Sequence, residues 1–275
     1  MKLVLADCFD LCKRIPSGKI NLVYVDPPFN TGKKQKGGRI KFTSSNSGSR
    51  KGYAGRKYKT ESIPGPSYQD IYKDYISYWG PRFLEMARIL TSNGSLFIHI
   101  DYRQAPYVRV FLDQHLYFMN EIIWAYDYGA RTKKRWPAKH DNILWYVKDP
   151  ANYVFNYSKI DRIPYLAPSL QTPERRQLGK TPTTVWWGTI VPTNSKERTG
   201  YPTQKPRWLL ERILKVHTKP RDWVCDPCAG SGTLGAVASS LDRRCLLGDS
   251  SEEAIECMQK RLSQYSPQII KIGKK

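Results

Sequence analysis

Long apolar runs are absent from the 275 residues, and none approaches the roughly 18 consecutive apolar residues that cross a membrane. The amino-terminal stretch Met1–Ala6 is interrupted by Asp7, which argues against a secretory signal peptide. These two absences exclude a membrane partner and predict a cytoplasmic protein.

Histidine is scarce, with four residues, and the chain has six cysteines. Cys225 and Cys228 have the Cys-x-x-Cys spacing of zinc ligands, but no second Cys-x-x-Cys or His-x-x-x-His pair completes a set of four ligands. Free cysteines commonly behave as small buried hydrophobic residues. We therefore expect no metal site.

Acidic residues are few, 24 against 45 lysines and arginines, so the formal net charge is +21. Such a surface favours a polyanion, because lysine and arginine side chains bind phosphates. A basic but inert surface is the alternative interpretation.

The segment 33–60 contains no acid at all. With its flanks it is rich in Gly, Ser and Lys, which predicts a long flexible loop over 33–67 that orders on a phosphate backbone. A solvated loop without function is the alternative. The candidate phosphate contacts are Lys33, Lys34, Lys36, Arg39, Arg50, Lys51, Arg56 and Lys57.

Short β-branched and aromatic runs alternate with amphipathic stretches, which is typical of an α/β protein. Strands are predicted near 2–6, 21–25, 95–100, 121–126, 142–147, 222–225 and 244–248, and helices over 68–90, 104–116, 206–216, 233–241 and 251–264. Residues 151–200 have many prolines and no sustained periodicity. We therefore predict a core of residues 1–150 and 201–275, and a small irregular insert at 151–200.

Five aspartates follow strand-like runs: Asp7, Asp26, Asp101, Asp226 and Asp249. Open α/β sheets bind ligands at the carboxyl ends of their strands. The spacing therefore predicts that these acids share one rim of the sheet and that this rim is the functional site.

The run Gly230–Gly235 satisfies the pattern G-x-G-x-x-G, and Asp249 lies 19 residues after Gly230. This fingerprint accommodates an anionic group at free helix-start amides and a ribose at the later acid. A nicotinamide dinucleotide fits it. S-adenosylmethionine fits it equally, with its carboxylate at those amides, its ammonium at Asp226 and its ribose at Asp249. A purely structural turn is the third interpretation.

The motif Asp26-Pro27-Pro28-Phe29 favours amino methylation over hydride transfer. An adenine amino nitrogen is a poor nucleophile until a carboxylate and a backbone carbonyl accept its two N–H groups. Proline supplies a fixed carbonyl with no competing N–H, and Phe29 supplies a flat face for a base that has left its stack.

The chain resembles the β-group of bacterial DNA amino-methyltransferases, in which the catalytic motif precedes the glycine motif. The resemblance covers nearly the whole chain and is carried by Ala6–Cys8, Tyr24–Gly32, Gly94–Asp101, Lys139–Tyr146, Lys196–Pro206 and Asp226–Thr233. It implies an α/β fold with a Rossmann-like S-adenosylmethionine-dependent methyltransferase sheet, circularly reordered motifs and an irregular target-recognition insert.

The resemblance also implies roles for individual residues. Asp26, Pro27, Pro28 and Phe29 would hold the target base, and Asp226, Gly230, Ser231, Gly232 and Thr233 would line the methionine end of the cofactor. Asp249 would hold the ribose and Asp7 the adenine, and Thr203, Gln204 and Lys205 would close the pocket around the carboxylate. The sequence Phe-Asn-Thr-Gly after Asp-Pro-Pro looks like the adenine-N6 members more than the cytosine-N4 members.

The expected partner is double-stranded DNA, with His140 as a further phosphate or base contact. The family suggests a homodimer, a cognate restriction endonuclease and an association with the nucleoid. Two alternatives from other classes are an NAD-dependent oxidoreductase, which shares the glycine fingerprint, and a non-catalytic DNA-binding module.

Overall fold

The structure, a computed structural model, describes residues 1–45, 47–51, 55–129, 132–192 and 195–272. Within these ranges the elements are, in chain order, β1 (Lys2–Leu5), α1 (Cys8–Arg14), β2 (Ile20–Val25), β3 (Lys33–Ser44), β4 (Arg50–Lys51), β5 (Lys57–Asp70), α2 (Tyr75–Ile89), β6 (Leu90–Ile100), α3 (Ala105–Leu112), β7 (Tyr117–Ala125), β8 (His140–Val147), α4 (Pro173–Leu178), β9 (Val185–Trp187), α5 (Arg207–His217), β10 (Trp223–Asp226), α6 (Thr233–Ser240), β11 (Arg244–Asp249), α7 (Glu252–Leu262) and β12 (Gln268–Lys271).

Nine of the strands form one sheet in the order β12-β1-β11-β10-β2-β6-β8-β7-β9. The strands from β12 to β6 pair in parallel, and β8 runs antiparallel to both of its neighbours. Every residue of β2 except Asn21 is buried, as expected for a parallel strand covered on both faces.

The carboxyl ends of β1, β2, β6, β10 and β11 lie at one rim of this sheet because these strands run in the same direction. Asp7, Asp26, Asp101, Asp226 and Asp249 stand at those ends. The predicted shared rim is confirmed.

Helices cover both faces of the sheet. One apolar cluster joins α5, α6 and α7 to the sheet, and the other joins α1, α2 and α3. Phe83 of α2 is fully buried in the second cluster, and burying a side chain of this size stabilises the fold by about 1.5–3 kcal/mol. In the described ranges no helix is both long and apolar enough to span a bilayer.

The segment predicted as a flexible loop is a β-hairpin. Strands β3 and β5 pair antiparallel from Lys33↔Asp70 to Ser44↔Tyr58, and β4 pairs with the other edge of β5. The prediction was wrong because hairpin strands are joined through backbone hydrogen bonds and require no alternating apolar face, so the polar composition resembled that of a loop. Residues 46 and 52–54 lie outside the described ranges.

Helix ends also differ from the predictions. The helix predicted from residue 68 begins at Tyr75, because Tyr68–Asp70 complete β5 and the Asp74 carboxylate caps the helix by accepting from Ser77 N at 3.0 Å. It ends at Ile89, one residue before the predicted end, and β6 begins at Leu90, before the strand predicted from residue 95. Likewise α3 ends at Leu112, so His115, predicted on a helix, follows it in a turn.

The insert at 151–200 is largely irregular in its described part, with the short helix α4 and the strand β9. Strand β9 pairs in parallel with β7, so the insert extends the edge of the main sheet. The boundaries proposed for it stay a prediction.

Candidate active site at the carboxyl rim of the sheet

The turn after β2 carries the Asp-Pro-Pro-Phe motif. Asp26 follows the last residue of β2, and the two prolines after it have no N–H group. The hydroxyl of Tyr75 donates to the carbonyl of Pro28 at 2.9 Å, whereas no described residue donates to the carbonyl of Pro27. The Pro27 carbonyl is therefore an acceptor in this turn that no described residue occupies.

Lys205 reaches the same turn from the segment before α5. Its Nζ lies 2.9 Å from Oδ2 of Asp26 and 5.1 Å from the centre of the Phe29 ring. Oδ1 of Asp26 is buried and, within the described ranges, has no hydrogen-bond partner. Leaving such an acceptor unpaired costs about 1–3 kcal/mol, so this oxygen is placed for a donor that a ligand brings.

Asp70, at the end of the hairpin, holds the residues that follow Phe29. Its buried carboxylate accepts from the backbone N–H of Asn30 at 2.6 Å and of Thr31 at 3.1 Å. Asn30 has φ +56°, a left-handed conformation that is uncommon outside glycine, and its side chain exchanges two hydrogen bonds with the backbone of Tyr72. Sequence analysis did not single out Asp70, because it lies 40 residues from Asn30 along the chain.

A buried hydrogen-bonded chain lies behind Phe29. The Phe29 and His99 rings stack with centroids 6.1 Å apart and planes 19° apart. His99 Nδ1 lies 2.8 Å from the Tyr24 hydroxyl, and Nε2 lies 3.1 Å from Oδ2 of Asp141, whose Oδ1 accepts from Tyr126. The sequence carries no local signal for this contact, because His99 and Phe29 come together only in the folded chain.

The tautomer of His99 follows from its neighbours. The Asp141 carboxylate can only accept, so Nε2 carries the proton and Nδ1 accepts from Tyr24. Burial, and then the charge of Lys205, lower the pKa of His99 below its ordinary value, so the ring is neutral near pH 7. A neutral ring of fixed orientation supports one face of Phe29.

The two acids on β10 and β11 lie beside the glycine turn. Asp226 is buried and accepts from the backbone N–H of Cys228 at 3.0 Å; burial raises the pKa of Asp226 well above its ordinary value. Asp249 accepts from the N–H groups of Gly230 and Ser251, each at 2.9 Å, and burial raises its pKa too. Asp249 therefore fixes the start of the turn.

Two glycines of the turn adopt positive φ, +49° at Gly230 and +70° at Gly232. A Cβ at Gly230 would lie 2.8 Å from the ring of Tyr201, and one at Gly232 would lie 2.8 Å from Met258. Both the backbone conformation and the close approach require glycine.

The hydroxyls of Ser231 and Thr233 bind the protein itself. Arg261 donates to Thr233 Oγ1 at 2.8 Å and to Ser231 Oγ at 3.2 Å, and Thr233 donates to the carbonyl of Lys205 at 3.1 Å. These two residues, expected to line the cofactor site, therefore join the glycine turn to the segment that carries Lys205.

Gln204 and Thr203 also make internal contacts. The Gln204 side chain accepts from the backbone of Thr199 and donates to the carbonyl of Glu197, both at 2.8 Å, so it braces the preceding loop. Thr203 has φ +57° and lies beside the hydroxyl of Tyr68 of β5. The base of the hairpin therefore lies against the glycine turn and the Lys205 segment.

Asp7 caps α1 by accepting from Phe9 N at 2.8 Å, and Arg82 lies 3.3 Å from both of its carboxylate oxygens. The Arg82 guanidinium lies 3.7 Å from the centre of the Tyr78 ring. Next to it is an open cleft of about 620 Å³ between the hairpin and α2, lined by Ile71, Tyr72, Lys73, Asp74, Ser77 and Tyr78.

The basic residues predicted to bind DNA lie on the hairpin, whose base reaches the site. Lys33, Lys34, Arg56 and Lys57 are exposed, whereas the side chains of Lys36, Arg39, Arg50 and Lys51 lie outside the described part of the structure. His140 begins β8 at the same rim, with its ring 6.0 Å from that of Tyr102.

Cys225 is buried, and all six cysteines are free. Within the described ranges no group of three or more His, Cys, Asp or Glu side chains is arranged to hold a metal ion.

A family model described as DNA methylase matches residues 20–260 of the chain. The chain belongs to the DNA methylase family. The family predicted from the motifs is thus confirmed, and the oxidoreductase alternative has no support. This methylase is 28% identical to the Type II methyltransferase M.HpaI of Haemophilus parainfluenzae over 265 residues, which are 95% of this chain and 74% of that protein. It is 27% identical to the DNA adenine methyltransferase YhdJ of Escherichia coli K12 over 275 residues, 96% and 84% of the two chains.

Solved structures share the fold of the methylase. The M1.HpyAVI–SAM complex superposes with a TM-score of 0.62 at 23% identity, covering 95% of this chain and 98% of that one. The cytosine-N4-specific PvuII DNA methyltransferase superposes with a TM-score of 0.67 at 16% identity, covering 94% and 85%. The predicted methyltransferase fold is confirmed.

Proposed function

We propose that this chain transfers a methyl group from S-adenosylmethionine to the N6 amino group of an adenine rotated out of duplex DNA. The observation that carries the proposal is the buried Oδ1 of Asp26, which lies beside the Pro27 carbonyl and the ring of Phe29; neither oxygen accepts a hydrogen bond from any described residue. Two acceptors next to an aromatic face match the two N–H donors and the flat ring of an adenine.

The residues of the rim fit S-adenosylmethionine. Buried Asp226 is an acceptor for its ammonium, the start of α6 after Gly232 faces its carboxylate, and Asp249 lies one strand further for its ribose hydroxyls. The open cleft lined by Tyr72 and Tyr78 offers aromatic rings for the adenine, and Tyr78 contacts Arg82, which pairs with Asp7. When bound, S-adenosylmethionine supplies an electrophilic methyl group.

The chain contributes positioning and charge stabilisation. Asp26 Oδ1 and the Pro27 carbonyl accept the two N6–H groups, which draws the nitrogen lone pair out of the adenine ring and directs it at the methyl donor. As N6 gains positive charge, the Asp26 carboxylate stabilises it and takes up the departing proton. Phe29, supported by His99, holds the base by stacking.

The test is methyl transfer by Asp26→Ala. Activity on unmethylated genomic DNA should fall by a factor of about 10²–10³ or more, while the affinity for S-adenosylhomocysteine is retained. Asp101→Asn, at the end of the neighbouring strand, is the control on the same rim and should remain active. Retained activity in Asp26→Ala would refute the assignment.

The target base is tested separately. DNA from a host that expresses the chain is digested to nucleosides, and mass spectrometry distinguishes N6-methyladenine from N4-methylcytosine. The first product supports the proposal. Detection of N4-methylcytosine would change the proposed target base from adenine to cytosine and leave the rest of the proposal unchanged.

Double-stranded DNA is the proposed partner, bound in part by the hairpin. Gln35 and Tyr68 are paired across it, so an Asn-Gly turn in place of 36–67 removes its outer part and keeps Asp70. We expect weaker DNA binding and a smaller slope of log affinity against log salt. An unchanged slope would show that the hairpin does not contact phosphates.

The remaining partners follow the resemblance. We propose that residues 151–200 read the recognition sequence and that a homodimer supplies further contacts to DNA. The enzyme works with a cognate restriction endonuclease, on the nucleoid in the cytoplasm. Sedimentation with and without DNA measures the dimer.

A further inference from the structure

A basic and aromatic loop leaves the sheet at the same rim as the catalytic turn. It connects β7 to β8 and comprises residues 126–139, of which 130 and 131 lie outside the described ranges. Ala125 is paired with His140, and Ile100 of β6 with Asn142, so the loop emerges beside the end of β6, which neighbours β2. It belongs neither to the hairpin nor to 151–200.

The tip of this loop exposes an aromatic side chain among cations. Trp136 is 96% exposed, the highest value among the exposed large hydrophobic side chains of the described residues, and Tyr128 is 61% exposed. Lys133, Lys134 and Arg135 precede Trp136 and are exposed too. A surface with both features suits a partner that offers phosphates and flat rings together.

The root of the loop is held in place. Lys139 Nζ donates to the carbonyls of Tyr128 and Gly129, both at 2.8 Å, and Tyr126 N donates to the carbonyl of Lys139 at 2.9 Å. The Tyr126 hydroxyl donates to Asp141, which holds His99 against Phe29. The loop is therefore tied by side chains to the platform for the target base.

We propose that residues 132–136 form a DNA-contacting surface, in which Trp136 stacks on bases next to the rotated-out nucleotide and Lys133, Lys134 and Arg135 bind backbone phosphates. This inference rests on the proposed function. It assigns the loop to duplex DNA rather than to a second copy of the chain.

Two variants separate the stacking from the charges. Trp136→Ala should weaken binding to a fluorescein-labelled duplex of mixed sequence about tenfold, with an unchanged salt slope. The triple variant Lys133→Gln, Lys134→Gln, Arg135→Gln should reduce the salt slope by about 2–3, because each phosphate contact contributes nearly one to it.

Controls come from the opposite rim. Tyr117 is 54% exposed at the other end of β7, and Lys2, Lys19 and Lys219 are exposed near the amino ends of β1, β2 and β10. Tyr117→Ala and the triple glutamine variant of those lysines should bind like the wild type. Equal melting temperatures for all variants show that folding is intact.

The inference is overturned if the loop variants bind DNA like their controls. It is also overturned if Trp136→Ala changes the sedimentation coefficient of the protein but not its affinity for DNA. Methyl transfer by the wild type is measured on the same preparations. A wild type that transfers no methyl group contradicts the proposed function, whereas an active wild type with indifferent loop variants contradicts only the inference.

Discussion

Lys205 Nζ lies 2.9 Å from Asp26 Oδ2, so a buried cation holds one oxygen of the acid in the Asp-Pro-Pro-Phe turn, and the other oxygen has no hydrogen-bond partner among the described residues. The pair joins the end of β2 to the segment before α5, which are far apart in the chain. It also places a positive charge near Asp226, which is buried close by.

Lys205→Met removes this charge and leaves the Asp26 carboxylate unbalanced. Breaking a fully buried pair costs about 3–5 kcal/mol, and the partial exposure of both side chains reduces that, so we expect a loss of about 2 kcal/mol in the free energy of unfolding. Urea denaturation measures it, with Lys205→Arg as the charge-retaining control. Adding Asp26→Asn should recover about 1 kcal/mol, and strictly additive losses would contradict the pairing.

Asp141→Asn should weaken the support behind Phe29. His99 and Tyr126 donate to different oxygens of Asp141, and asparagine replaces one of these oxygens by an NH2 group, so one buried donor loses its partner at a cost of about 1–2 kcal/mol. We expect the catalytic constant to fall about tenfold with unchanged cofactor affinity, measured by steady-state methyl transfer and calorimetry. Tyr126→Phe removes only the hydrogen bond from Tyr126 to Asp141, so it should lower the catalytic constant less than Asp141→Asn does. An equal effect would show that Tyr126, rather than the contact between Asp141 and His99, supports Phe29.

Gly230→Ala should destabilise the glycine turn by about 1–3 kcal/mol, because it combines a positive φ with a contact to Tyr201. Gly18→Ala is the matched control, with φ +70° and no atom within 4 Å of the added carbon, so it reports backbone strain alone. Thermal denaturation compares the two. If Gly230→Ala lowers the melting temperature no more than Gly18→Ala does, the Tyr201 side chain moves aside without cost and the contact is not destabilising.

Asp226→Asn should change the pH dependence of stability. Burial raises the pKa of Asp226 in the folded state, so as the pH rises the unfolded chain loses this proton first and the wild type is progressively destabilised. The contribution is fully present below the ordinary pKa of aspartate and is lost as the pH rises through the raised value.

Relative to the wild type, Asp226→Asn should therefore melt about 3 °C higher at alkaline pH, with little difference below the ordinary pKa of aspartate, about 3.9. Calorimetry across that range measures the difference, and Asp10→Asn, at an exposed residue of α1, is the control. A difference that stays constant with pH would contradict the assignment to Asp226.

The strands and their acids were predictable because they depend on local pattern. Leu22–Val25 is a continuous apolar run with an acid and two prolines after it, and this pattern identifies both the strand and its end. The hairpin was not predictable in this way, since Lys33–Ser44 presents no alternation that reports its pairing with Lys57–Asp70.

Within the site, the glycines and the Asp-Pro-Pro-Phe turn were identified correctly as structural features of one rim, whereas their partners were not. Asp70, Asp141 and Arg261 act through contacts with residues 28 to 42 positions away, and no spacing rule reports them. Ser231 and Thr233 matched a binding motif, yet their hydroxyls bind Arg261 and the Lys205 segment.

From the amino acids alone came the α/β class, the strand ends that carry acids, the glycine turn and the family, because each is encoded in neighbouring residues whose backbone preferences act locally. Only the folded chain decided that Lys205 faces Asp26, that His99 stands behind Phe29 and that residues 126–139 rise at the same rim. Those contacts depend on the order and direction of the strands. Strand order and direction are set when distant segments bury their apolar faces together in one core.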